Sequence, residues 1–177
     1  MADRWTYDEV GAWEAAGTRL AVGGHDVFVV DLAASGTERA EPLVVIHGYP
    51  TSSFDYAGVA PALAEHRRVV LVDLLGCGLS AKPDQRYTMA GQADVVAGVL
   101  AQLGIDRFAL LTHDMGDTVG GELLARNLEG AWHVDVTRRI VTNGSIYIEQ
   151  AHLTDGQLFL LSLPDEVKAH LETGALT

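Results

Sequence analysis

The sequence predicts an α/β protein built on one mostly parallel sheet that opens with an antiparallel hairpin, and three observations carry that expectation. Short uninterrupted apolar runs recur at Leu43 to Ile46, inside "RRVVLVD" from Arg67 to Asp73, and in "FALLTH" from Phe108 to His113. Such runs, with no polar alternation, are what strands covered on both faces look like. Stretches of helical spacing separate them. Upstream, "RLAVGG" and "DVFVVDLA" stand back to back around Gly24 and His25 as two strands joined by a tight turn.

Taken in order, the hairpin is followed by the polar turn "AASGTERAE" and then by the strand in "PLVVIHG". Ser53 is placed to cap a helix on which Tyr56, Val59 and Leu63 share a face. After the strand in "RRVVLVD", Thr88 precedes a longer pattern in which Met89, Ala93, Val96, Leu100 and Leu103 line one face, and Gly104 stands where a helix stops. "FALLTH" is the next strand, Met115 to Asn127 the next helix, and "RRIVTNG" the last strand. Strands alternating with helices imply parallel neighbours joined by right-handed crossovers. Reactive residues in such sheets lie beyond the carboxyl ends of the strands. That rule selects His47 to Pro50, Asp73 to Ser80, His113 to Met115, and Asn143.

Bulk properties narrow the function classes. A chain of 177 residues suits one core rather than two. The net charge of -12 leaves too few clustered cations for a phosphate backbone, so nucleic acid is excluded as a partner. One cysteine, Cys77, rules out an internal disulfide, and no Cys or His pairs stand at zinc-finger spacing. No run approaches the roughly 20 apolar residues of a membrane span, and the N-terminus lacks a signal-peptide core, so a soluble cytoplasmic protein is expected.

The chemistry concentrates in Thr112-His113-Asp114-Met115-Gly116. The five have the form small-x-nucleophile-x-small, in which crowding at a tight strand-to-helix turn demands small residues at the ends. Asp114 would then sit at the start of the following helix, where peptide dipoles and free N–H groups favour an anion. A carboxylate is a nucleophile without a base to deprotonate it. The plainer reading of Asp114 is a helix cap, a position aspartate favours. The His113-Asp114 pair also matches metal-dependent phosphohydrolases, but those need further His and Asp ligands on helices, and His113 sits at a strand end. "GCGLS" fails as a dinucleotide fingerprint because Ala81 stands at the third glycine site; Asp73 and Ser80 read instead as stabilisers of that loop. His25, His66, His133 and His152 read as surface or loop histidines.

Three segments, "HGYPTSSFDY", "DLLGCGLSAKP" and "LLTHDMGDTVGGELLARN", resemble the α/β-hydrolase superfamily, in its epoxide hydrolase and haloalkane dehalogenase branch. The resemblance implies Asp114 as nucleophile, the backbone N–H groups of Tyr49 and Met115 as an oxyanion hole, and His47, Gly48, Pro50 and His113 as supports of the site. A cis peptide is expected before Pro50. The substrate would be a small molecule attacked at an electrophilic carbon or carbonyl, with no cofactor and no metal. An ester or lactone hydrolase of the same fold, or a non-catalytic binding module, are the competing readings.

Departures from the family pattern carry information too. Dehalogenases hold the leaving halide through side-chain N–H donors at the positions of Tyr49 and Met115, which offer none here, so dehalogenation is disfavoured. The family continues into a helical cap and two more strands bearing an acid and a general-base histidine. Here residues 1–145 correspond to the core and 146–177 to the start of the cap, so a chain truncated before the last strands is expected. The strand ending near Asn143 would then be an exposed edge open to self-association. Tyr147 is expected to pack rather than to act as an acid, and His170 lies in the presumed cap.

Overall fold

The computed structural model describes residues 7–144 and 152–164. Helix α1 (Tyr7–Ala16) leads into strands β1 (Gly17–Val22) and β2 (His25–Leu32), joined by a two-residue turn. Gly23 and Gly24 have φ of +59° and +84°, the left-handed values that a tight hairpin needs and that glycine adopts without a Cβ clash. The chain continues through β3 (Leu43–Ile46), a 3-10 turn at Ser53–Tyr56, α2 (Ala60–Leu63), β4 (Val69–Val72), α3 (Met89–Gln102), β5 (Arg107–His113), α4 (Met115–Leu128), β6 (Asp135–Thr142) and α5 (Asp155–Ser162). The strands form one sheet in the order β1-β2-β4-β3-β5-β6. The β1-β2 and β2-β4 pairs are antiparallel and the β4-β3, β3-β5 and β5-β6 pairs parallel, as the sequence predicts.

Both faces of the central strands are covered, and β3 and β4 are buried at every position. On one face Val44, Ile46, Val70, Val72, Phe108 and Leu110 pack against Val96, Val99 and Leu100 of α3 and Val119 and Leu123 of α4. On the other, Phe28, Val45, Leu71 and Ala109 meet Trp13 of α1 and Ala60 and Ala64 at α2. This is why these strands read as continuous apolar runs. Thr88 caps α3 by accepting the Gly91 N–H at 3.0 Å, and Gly104 follows with φ +65°.

Three expectations need correction. The helix expected after Ser53 is split into the 3-10 turn and α2, because Pro61 lacks the N–H that would continue the ladder. Its cap is Ser52, whose Oγ accepts the Phe54 N–H, while Ser53 is buried and its Oγ accepts from Trp13 Nε1 at 3.2 Å. Strand β6 begins at Asp135, earlier than the apolar pattern suggests, because a bulge near Val136 breaks its alternation. Tyr147 and His170 lie outside the described residues.

Candidate active site

The carboxyl ends of β3, β4, β5 and β6 deliver the groups that the site is built from. Asp114, immediately after β5, has φ +50° and ψ -119°, a backbone conformation that a side-chain-bearing residue holds only under constraint from its neighbours. The constraint is visible. A Cβ on Gly116 would stand 2.5 Å from the carbonyl oxygens of both Ile46 and His47, and one on Gly48 would stand 2.5 Å from Asp114 Cβ. The turn after β5 is therefore pressed against the end of β3, and only glycine fits at these two contacts. The Asp114 N–H is tied to the carbonyl of Thr142 at the end of β6, 3.1 Å away.

Asp114 Oδ1 accepts two main-chain N–H groups, from Met115 at 2.6 Å and from Tyr49 at 2.9 Å. These are the two amides picked out in the sequence. One carboxylate oxygen is thus held by donors from two different loops, and the side chain is half-buried. The Tyr49-Pro50 peptide is cis. Tyr49 is 37% exposed, so its ring stands at the rim while its amide faces inward.

His47 is buried and holds the Tyr49 loop in place. Its Nε2 accepts the Leu74 N–H at 3.0 Å, so the ring proton resides on Nδ1, which donates to the Gly48 carbonyl at 2.8 Å. Burial pushes the imidazole pKa below its ordinary value, against smaller opposing effects from the Gly48 carbonyl and the charges of Asp73 and Asp55. His113 is placed differently: its Nδ1 lies 3.1 Å from Thr142 Oγ1, linking β5 to β6.

The loop after β4 is braced from below. Asp73, buried, accepts the Ser53 N–H on Oδ1 and the Leu79 N–H on Oδ2, each at 2.7 Å, and its carbonyl accepts from Ser80 Oγ. These are the loop-stabilising roles read from the sequence. Sequence reasoning passed over Gln92, which clamps Leu75 by accepting its N–H at 3.0 Å and donating to its carbonyl at 2.8 Å. A glutamine on the apolar face of α3, three residues after Met89, was the available signal. Cys77 sits in the same loop, its thiol pushed up to about 11 chiefly by burial, so it is protonated at neutral pH and no rival nucleophile. A cavity of about 190 Å³ lies near Ser52, Asp73 and Leu79, floored by Trp13 and Phe54. Among the described residues no three His, Cys, Asp or Glu side chains converge as a metal site, and no helix is long and apolar enough to cross a membrane.

Residues 41–161 match the family model of the alpha/beta hydrolase fold. The chain belongs to that family. The chain is similar to LipZ of Mycobacterium tuberculosis, at 38% identity over 167 residues that make up 94% of this chain and 56% of LipZ. It is also similar to a soluble epoxide hydrolase of Corynebacterium sp., at 38% identity over 78 residues, 44% of this chain and 27% of that protein. Among solved structures, the haloalkane dehalogenase DatA of Agrobacterium tumefaciens C58 superposes with a TM-score of 0.71 at 23% identity, over 90% of this chain and 53% of DatA, a likeness of fold. The chain spans about half the length of LipZ and of DatA.

Proposed function

We propose that this chain carries the nucleophilic half of an epoxide hydrolase-like site, in which Asp114 forms a covalent ester with its substrate. The observation that supports the reading is the pair of amides, Tyr49 and Met115, converging on one oxygen of a carboxylate that sits on a left-handed strand-to-helix turn. That turn is read as a nucleophile elbow and the two amides as an oxyanion hole. With Oδ1 engaged by both amides, Oδ2 is the attacking atom. It bonds to one epoxide carbon, the carbon–oxygen bond of the ring breaks, and the released alkoxide takes a proton from solvent or an acid. Oδ1 is then the carbonyl oxygen of the ester. When water attacks that ester, negative charge develops on Oδ1, where two donors already stand at hydrogen-bond distance. The water-activating histidine and its acid partner are assigned to no residue of this chain. Residues 146–177 are read as the opening of a cap over the site.

Intact-protein and peptide mass spectrometry after incubation with styrene oxide tests the reading. A single adduct on Asp114, lost in Asp114→Asn, is the expected result. A folded chain that acquires no adduct overturns it. The ester and lactone hydrolase reading shares the two amides, and turnover of an aryl ester without epoxide labelling would favour it.

A further inference from the structure

One buried acidic group takes no part in the mechanism above. Asp117, in the first turn of α4, has no solvent exposure, although the position lies only three residues after Asp114. Its Oδ1 accepts from Thr112 Oγ1 in a short hydrogen bond. Its Oδ2 has no hydrogen-bond partner among the described residues and is pressed against Gly144, where a Cβ would stand 2.1 Å from it. From β6, Arg139 donates through Nη2 to the Asp117 carbonyl at 2.8 Å, while its own buried Nε is likewise without a partner. The Asp117 N–H donates to the Asp114 carbonyl at 2.9 Å.

An unsatisfied buried carboxylate oxygen is costly and asks for a reason. Here the reason is geometric. Asp117 touches the end of β5 through Thr112, the turn of Asp114 through its own N–H, the middle of β6 through the Arg139 bond to its carbonyl, and the exit of β6 through Gly144. The Asp114 N–H depends on that exit, because it donates to Thr142. We propose that Asp117 is a positioning residue for Asp114, clamping the end of β5 to the exit of β6 so that the left-handed turn and its carboxylate are held in register with the Tyr49 loop. The consequence for chemistry rests on the nucleophile reading; the clamp itself does not.

The test uses the full chain with Asp117→Ala, Thr112→Val, which removes the hydroxyl at nearly constant shape, and Thr112→Ser, which keeps it. Two quantities are measured: hydrogen exchange of the Asp114 amide by NMR, and the saturating rate of adduct formation with styrene oxide. Asp117→Ala, which removes the acceptor, and Thr112→Val are expected to speed exchange at Asp114 by about 10-fold and to slow adduct formation by about 10- to 100-fold, with the half-saturating epoxide concentration unchanged. Thr112→Ser restores both. Wild-type exchange and wild-type labelling in Thr112→Val would overturn the clamp, and that variant decides the matter if Asp117→Ala fails to fold. If wild-type protein takes no adduct, the nucleophile reading falls and the exchange of the Asp114 amide alone decides the clamp.

Discussion

At the scale of single side chains, the neutral ring of His47 makes the site sensitive to acid. Its two nitrogens are committed, one accepting and one donating, so a second proton would set an N–H against the Leu74 N–H. Its pKa is lowered in the folded chain, so the unfolded chain binds the proton more tightly. The contribution to stability is complete above the ordinary value of 6.5, declines as pH falls below it, and is lost once pH has passed through the lowered folded value. Melting temperatures recorded across this range are expected to fall on the acid side, and to fall less in His47→Gln, whose amide oxygen still accepts from Leu74. Gly116→Ala forces a methyl group into two main-chain carbonyls and is expected to cost about 1–3 kcal/mol, or to prevent folding, as read by denaturant unfolding. Asp114, Tyr49, Met115 and His47 were legible in the sequence because each belongs to a short contiguous motif with one steric logic. Gln92 and Asp117 were not, because their partners, Leu75 in one case and Thr112, Arg139 and Gly144 in the other, are brought together only by the fold.

Among the elements, those with a continuous or strictly periodic pattern were readable: β3, β4, β5, the hairpin, α3 and α4. Their boundaries follow from local chemistry. Replacing Thr88 by alanine removes the side-chain acceptor for the Gly91 N–H and is expected to destabilise the chain by about 1 kcal/mol, a shift in the denaturation midpoint with the slope unchanged. Helix α1 shows no such pattern, since Gly11 falls within it and only Trp13 is buried among those of its residues whose burial is described. That indole is what anchors it, through the Ser53 hydroxyl and an edge-on approach to Phe54 with ring centroids 6.2 Å apart. Strand β6 was read short because it lies at the sheet border, mostly exposed, where burial imposes no unbroken apolar run.

For the whole molecule, the border strand β6 is the surface through which self-association is expected. Ile140 and Val141 are 43% and 47% exposed, and Leu128 at the end of α4 is 87% exposed. No strand pairs with the outer side of β6 among the described residues. Concentration-dependent association in sedimentation velocity is the expected outcome for the 177-residue chain, and Val141→Lys is expected to suppress it. A monodisperse monomer at every concentration would count against a role for this border.

The opposite border behaves otherwise. Strand β1 is exposed at Thr18, Arg19 and Ala21, with Arg19 bound to Glu14 of α1 at 2.8 Å and lying over the Phe28 ring, and the Gln102 side chain from α3 donating to the Ala21 carbonyl. An association that runs through β6 alone uses the same patch on both molecules, so it is expected to close at two copies, and a series of larger species in sedimentation velocity would count against it.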